Sequence, residues 1–252
     1  MELEKRYIQN NFSRASSSYD NVAFVQKECA AKLVNLLQSY FPEFHPQSIL
    51  DLGTGTGYIP EILFSFFSQS KFTLNDISSN MLAKAKEKLV GYKEVEFILG
   101  DMETLDFGLH DLVISNLSLQ WVSNLKKMIR KSYNNSDVFV FSCLLDGTFN
   151  EWSRIFIKSL LPVPTHKYPS KQELESYLLS LKPKKYFFDS QEFTLCFPSA
   201  SEFIRYLKNL GANLSSQTIS LSDLRKVVQT YTNKINVTYK VFFGVLSRCR
   251  SL

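Results

Sequence analysis

Three glycines at alternate positions, Gly53, Gly55 and Gly57, follow the short apolar run Leu50-Asp51-Leu52. Glycines so spaced let the chain turn sharply and let a ligand approach the main chain with no Cβ in the way. Three acids accompany them. Asp51 stands just ahead of the turn, Asp76 lies 19 positions beyond Gly57, and Asp101 follows Gly100 and precedes Met102. A carboxylate at the position of Asp76 meets ribose hydroxyls, which donate to it. Dinucleotide turns favour G-x-G-x-x-G, whereas the spacing here is G-x-G-x-G, and a carboxylate at Asp51 would repel a pyrophosphate. The same carboxylate would attract an ammonium. S-adenosylmethionine combines an ammonium, a ribose and an adenine without phosphate. Asp51 suits the first, Asp76 the second, and Asp101 with Met102 the adenine amino group and ring. A tight turn with surface acids explains any one of these features, but not three at successive strand ends.

Other chemistry is sparse. The segment Ser115-Asn116-Leu117-Ser118-Leu119-Gln120-Trp121 contains no Asn/Asp-Pro-Pro-aromatic clamp for an amide or adenine nitrogen, and there is no Pro-Cys nucleophile. None of His45, His110 and His166 falls at a strand end suited to a general base, and His110 reads as a loop residue. Cys29, Cys143, Cys196 and Cys249 form no C-x-x-C pair, so neither a metal site nor a disulfide framework is expected. An absent base fits a nucleophile that is already an anion. A carboxylate, with a free pKa of about 4, needs no deprotonation at pH 7.

The elements that must hold these residues alternate. Apolar runs at 48–52, 72–76, 95–99, 112–115 and 138–144 read as strands, and helical patterns at 59–67, 79–90 and 125–132 separate them. Right-handed βαβ units and a parallel sheet follow. Residues 1–47 form a helical cap, 48–145 the cofactor-binding half, and 146–252 a substrate and lid half, all within one domain. In that last part, 146–182 read as helices broken at Pro162-Val163-Pro164, 187–197 as a strand, 199–232 as two helices parted by Gly211, and 237–246 as a final strand. The net charge of +5 is too small to argue for nucleic acid. No apolar stretch reaches the roughly 18 residues of a membrane span, and the charged N-terminus lacks the apolar core of a signal peptide. A soluble, cytoplasmic, monomeric protein is expected.

The motifs LDLGTGTG (50–57), Asn75-Asp76-Ile77-Ser78 and GDMETL (100–105) resemble those of class I S-adenosylmethionine-dependent methyltransferases. The resemblance implies a Rossmann-like seven-stranded α/β sheet with its last strand antiparallel and helical lid insertions. It implies a cofactor site of Asp51, Gly53, Gly55, Gly57, Asp76, Ile77, Met81, Asp101, Met102 and Asn116. A closer resemblance, to the malonyl-acyl carrier protein O-methyltransferases of biotin synthesis, rests on SNLSLQW (115–121) together with four other segments. These are Phe12-Ser13-Arg14-Ala15 with Ser18-Tyr19-Asp20, GTFNEW (147–152), FIRYLKNLGA (203–212) and VTYKVFFGV (237–245). Thr54 departs from the family's frequent Cys, and residues 108–110 and 160–185 have no recognisable counterpart.

This resemblance implies that the free carboxylate of a malonyl thioester, on acyl carrier protein or coenzyme A, attacks the sulfonium methyl. A cation is then expected to hold the carboxylate: Arg205 or Lys208 from a lid helix, or Arg14. Tyr19, Gln120 and Trp121 are expected at the methyl site. Lys126, Lys127, Arg130 and Lys131, or Lys182, Lys184 and Lys185, are candidates for docking the acidic carrier protein. Two rivals stay open: a class I methyltransferase acting on another small acid or a quinone precursor, and a non-enzymatic cofactor-binding protein. A nicotinamide oxidoreductase is a more distant alternative.

Overall fold

Alternate residues of the central strands point to opposite faces, and both faces are apolar. Ile49, Leu112, Ile114, Val138 and Val140 enter one core, and Leu50, Val113, Phe139 and Phe141 the other. Strands buried on both sides read as near-continuous hydrophobic runs, as these do in the sequence. A computed structural model describes residues 2–164, 166–212 and 220–248. Its strands are β1 (Ser48–Leu52), β2 (Lys71–Asp76), β3 (Val95–Leu99), β4 (His110–Asn116), β5 (Ser136–Leu144), β6 (Lys185–Phe197) and β7 (Ile235–Ser247). They form one seven-stranded sheet in the order β3-β2-β1-β4-β5-β7-β6. The first five are parallel, and β7 runs antiparallel between β5 and β6. This is the fold expected from the sequence. His110 opens β4 as a buried residue at the end of the strand remote from the glycine turn, rather than lying in a loop.

Helices cover both faces. α3 (Phe24–Tyr40), α4 (Tyr58–Phe64), α7 (Asn150–Lys158) and α9 (Ala200–Asn209) pack into the first core, and α6 (Leu125–Asn134) and α8 (Lys171–Ser180) into the second. α5 (Ser79–Lys88) is capped by the Ser78 hydroxyl, which accepts from Met81 N–H. α10 (Leu221–Thr230) follows α9 in sequence. Cys29 and Cys143 are buried free thiols and Cys196 an exposed one; Cys249 lies outside the described residues.

The segment before β1 forms a roof. α1 (Glu2–Ala15) crosses the C-terminal edge of the sheet and is tied down at several points. Gln9 Nε2 donates to the Ile77 carbonyl, the Ser13 and Ser78 hydroxyls lie 2.8 Å apart, and Asn80 Nδ2 donates to the Ser13 carbonyl. α2 (Tyr19–Val22) is held against the glycine turn, where Thr56 Oγ1 donates to Asp20 at 2.6 Å and Lys88 pairs with the same carboxylate at 3.1 Å.

Gly211 joins this roof to α9. It adopts φ +76° and ends α9 with two hydrogen bonds, Gly211 N–H to the Lys208 carbonyl and Ala212 N–H to the Leu207 carbonyl, the pairing of a Schellman motif. A Cβ here would lie 3.0 Å from Phe12 Cα and 2.8 Å from its ring. Gly211→Ala meets both the left-handed backbone and α1, so it should lose about 1–3 kcal/mol of stability. Denaturant unfolding checks this; a midpoint equal to that of wild type would mean that α1 shifts away at no cost.

Candidate active site

The order of the parallel strands reverses between β1 and β4, and there the loops leaving the C-terminal ends diverge into a crevice. The glycine turn leaves β1 and Leu117-Ser118 leaves β4, with α1 closing the top. Gly53 is required twice over: its φ is +70°, and a Cβ would fall 1.8 Å from Ser118 Oγ. Gly55, at φ +57°, opens onto free space where a ligand can reach the main chain. Gly57 caps α4 and packs on Ala85, where a Cβ would lie 3.1 Å from the Ala85 Cβ. It lines none of the cavities described here, and the space a side chain would need is taken by α5.

Two larger cavities and one smaller one meet here. The first takes Gly53, Gly55, Asp76, Ile77, Met81, Asp101, Met102 and Asn116 from the expected cofactor set, and α1 adds Lys5, Ile8 and Phe12. Asp76 is fixed by two main-chain donors, Gly55 N–H at 2.9 Å and Ser78 N–H at 2.8 Å, one on each oxygen. Burial pushes its carboxyl up to about 6 against these amides. Asp101 accepts from Glu103 N–H, and Lys5 reaches over it at 3.4 Å to pair with Glu103 at 2.6 Å. Partial burial acts to raise the Glu103 pKa, but Lys5 and the amides of Ser123 and Asn124 hold it below the usual range. Asn116 is satisfied on both sides, donating to the Gln26 carbonyl and accepting from Ser142 Oγ.

Asp51 lies in the smaller adjoining cavity, which shares Tyr19, Gly53, Gly55 and Asn116 with the first. It is 1 % exposed, and its Oδ2 has no hydrogen-bond partner. Burial, with Asp76 adding to it, pushes this carboxyl up to about 7. A buried acceptor without a donor suits an ammonium, and the first cavity offers a ribose acceptor and an adenine face. The residues present fit S-adenosylmethionine.

The second large cavity shares Phe12, Tyr19, Leu117 and Trp121 with the first, so these four form the wall between them. Leu117, at φ +44°, takes a backbone strained for a branched side chain and is held there by Ser142, whose carbonyl and hydroxyl both accept its N–H. Phe149, on the far side, is similarly placed at φ +59°. Gln120 lines this cavity, donating Nε2 to the Leu117 carbonyl at 2.7 Å, and its Oε1, like that of Gln26, is buried without a partner. Trp121 stacks edge-on against Phe12 and His166.

The structure does not bring the expected cations here. Arg205 is 65 % exposed and pairs with Glu202 at 2.8 Å, Lys208 and Arg14 are exposed, and none of the three lines either cavity. The cause is helical periodicity. Phe203 and Leu207 bury on one face of α9, Tyr206 and Leu210 share that side, and Arg205 and Lys208 fall on the other. Lys131 is also withdrawn from docking, because its ammonium donates to the carbonyls of Met102, Glu103 and Leu105. Lys182, Lys184 and Lys185 precede or open β6, at the sheet edge opposite the crevice. Lys126 pairs with Glu173, while Lys127 and Arg130 are exposed on α6.

Sequence reasoning missed Lys5, Ile8 and Ser118 in the first cavity and Gln26, Pro164, Tyr168 and Tyr239 in the second. Periodicity could have found Tyr206 and Leu210 on the inner face of α9. For Lys5, in a charged and exposed-looking first turn, no signal existed.

The raised carboxyl of Asp51 sets a pH dependence. Its folded-state value lies above the unfolded one, so ionising it costs the ligand-free protein stability as pH rises towards 7, whereas a bound ammonium favours the ionised form. S-adenosylmethionine affinity should therefore rise about fivefold to tenfold between pH 6 and pH 7.5, with protons released on binding. Asp51→Asn should bind more weakly and flatten this rise, and calorimetry in two buffers measures both. An equally steep rise in the variant would assign the titration to another group.

Residues 45–149 match a family model described as a methyltransferase domain. Among curated relatives, the malonyl-acyl carrier protein O-methyltransferase of Neorickettsia risticii (strain Illinois) is 39% identical over 247 residues, covering 98% of each chain. The enzyme of the same name from Priestia megaterium (strain DSM 319 / IMG 1521) is 30% identical, over 94% of this chain and 95% of its own. Among solved structures, the plantazolicin methyltransferase BpumL in complex with SAH superposes with a TM-score of 0.58 at 15% identity, covering 98% of this chain and 96% of its own. The YcgJ protein of Bacillus subtilis gives 0.58 at 15% identity, over 87% and 98%. The solved structures share the fold. By its identity to the curated relatives over nearly the whole of both chains, this chain belongs to the malonyl-acyl carrier protein O-methyltransferase family.

Proposed function

We propose that this chain methylates the free carboxylate of a malonyl thioester carried on acyl carrier protein, yielding the malonyl methyl ester that primes biotin synthesis. The observation that carries the reading is the four-residue wall of Phe12, Tyr19, Leu117 and Trp121, shared by a cofactor cavity and a second cavity without a lysine or arginine among its described lining residues. S-adenosylmethionine, when bound, supplies an electrophilic methyl group. The carboxylate oxygen forms the new C–O bond as the C–S bond breaks in line with it. The electron pair goes to sulfur and no proton moves. An anion and a cation become two neutral groups, so the reaction gains from a site that excludes water. Asp51, Asp76 and the glycine turn orient the cofactor, and the shared wall fixes the approach. Gln26 and Gln120, whose buried oxygens lack donors, are suited to accept from the amide N–H groups of a phosphopantetheine arm.

The finer readings rest on composition and placement. Lys127 and Arg130, exposed on the helix that follows the β4 loop, are the basic residues taken to face the acidic carrier protein. The whole chain is taken as one domain, acting as a cytoplasmic monomer. A net charge of +5 argues against a nucleic-acid partner. No described helix is long and apolar enough to cross a membrane.

Incubation with S-adenosylmethionine and malonyl-acyl carrier protein should give a methyl ester detectable by mass. The acetyl thioester, which has no free carboxylate, should give none. Equal turnover of the two would mean that another atom accepts the methyl group. Turnover of a free acid in preference to the carrier-bound thioester would favour the rival small-acid methyltransferase.

A further inference from the structure

A carboxylate entering the second cavity meets phenols. Tyr19 comes from α2, Tyr168 from the loop between α7 and α8, and Tyr239 from β7, and all three line the cavity. Tyr206 on the inner face of α9 stands behind, with its hydroxyl 3.0 Å from that of Tyr239. His166, the one titratable nitrogen base among the described lining residues, has its pKa lowered by desolvation, which outweighs the opposing charge of Glu4.

The phenols keep their protons. Burial, together with the neighbouring phenols of Tyr206, Tyr168 and Tyr19, holds the Tyr239 hydroxyl well above the ordinary tyrosine value. Burial pushes Tyr19 and Tyr168 up as well, and brings Tyr206 to about 12. In the Tyr206–Tyr239 pair, two O–H groups share one hydrogen bond, so one proton remains to be given. When Tyr206 donates, that proton belongs to Tyr239 and is free for the cavity. The Tyr168 hydroxyl is perturbed by burial alone, with no hydrogen-bonding neighbour opposing it. Tyr19, Tyr168 and Tyr239 thus bring O–H donors to one cavity, whose remaining described lining is mostly apolar, with Gln26, Gln120 and His166 as its other polar side chains.

Resting on the malonyl-thioester reading, we propose that Tyr168 and Tyr239 bind the carboxylate of the substrate, with Tyr206 as the positioning residue that orients Tyr239 and Tyr19 steering the attacking oxygen at the shared wall. This neutral cage does what Arg205 was expected to do, and chemistry favours it. The carboxylate loses its charge as the C–O bond forms. A guanidinium would stabilise the anionic ground state more than the transition state and so raise the barrier. A phenol hydrogen bond is weaker than a charge-assisted ion pair. It fixes the plane of the carboxylate while leaving it reactive in a desolvated site. The same donors select the substrate, because an acetyl thioester leaves buried hydroxyls without an acceptor.

The test compares wild type with Tyr168→Phe, Tyr239→Phe and Tyr206→Phe, each of which keeps its ring and its packing. Steady-state kinetics use malonyl-acyl carrier protein, and competition uses malonyl-pantetheine against acetyl-pantetheine. Loss of a hydrogen bond to an ionised group should raise KM for the malonyl thioester by about tenfold or more in Tyr168→Phe and Tyr239→Phe, with a smaller fall in kcat and with S-adenosylmethionine affinity held. Tyr206→Phe should raise KM less. The preference for malonyl- over acetyl-pantetheine should shrink in all three, which a purely structural role would not produce. An unchanged preference at wild-type KM overturns the cage. So does a raised KM in Arg205→Ala or Lys208→Ala with the phenylalanine variants at wild-type values, which would put the anion on a cation. If a variant at β7 fails to fold, Tyr168→Phe, on a loop, still decides. Wild-type protein that makes no methyl ester from malonyl-acyl carrier protein would remove the substrate reading and the cage together. Wild-type turnover with unaffected variants would remove the cage alone.

Discussion

A carboxylate buried in the ligand-free protein with one oxygen unpaired is costly, and Asp51 is such a carboxylate. Its position is forced by the sheet. β1 is flanked by β2 and β4, both parallel to it, and its C-terminal end opens where the strand order reverses. The turn that follows can adopt its left-handed conformations only because Gly53, Gly55 and Gly57 have no side chains. Around it, Asp76 is held by two amides, α2 is tied to Thr56, and α1 lies across the top. The cost is carried by the core beneath, where apolar strands are buried on both faces, and it is returned when a cation arrives.

The second cavity follows the opposite rule. Its walls are aromatic and aliphatic, and its polar side chains are hydroxyls, amides and one imidazole whose pKa is lowered. Asp51, Asp76, Asp101 and Lys5 thus line the first cavity and its smaller neighbour, whereas the described lining of the second holds no Lys, Arg, Asp or Glu. Leu117 stands at this boundary and Phe149 in the wall of the second cavity alone, both at positive φ. Their backbone strain is held by Ser142 and by the carbonyl of Thr238. Such strain persists only where the surrounding structure over-determines it, and here β5 and β7 supply those restraints.

The sheet was largely legible in the sequence, and so were most of the residues that line the first cavity, because both rest on local patterns. Strand periods, the glycine spacing and acids at strand ends are each contained within about ten residues, and β1 to β7 fall where the apolar runs predict. The substrate cavity was not legible in the same way. Tyr19, Tyr168 and Tyr239 are brought together only by tertiary structure, and Tyr168 lies in an irregular segment without periodicity. The misplacement of Arg205 has a different origin. A resemblance over 203–212 identifies a helix but says nothing of which face turns inward. The apolar spacing of Phe203, Leu207 and Leu210 contained that answer, since it sets Arg205 and Lys208 on the far side.

Gly211 shows how the two halves depend on each other. The turn that ends α9 packs against Phe12 and Ala15 of α1 with no room for a methyl group. The same turn places Leu210 and Ala212 in the substrate cavity, while Phe12 belongs to the wall shared with the cofactor cavity. α1 is fastened on its other side to Ile77 and Ser78, beside Asp76. Moving α1 would therefore loosen the contact at Gly211 and with it the wall of the second cavity. One helix thus borders both cavities, an arrangement that suits a reaction in which both charges must be dry at the same moment.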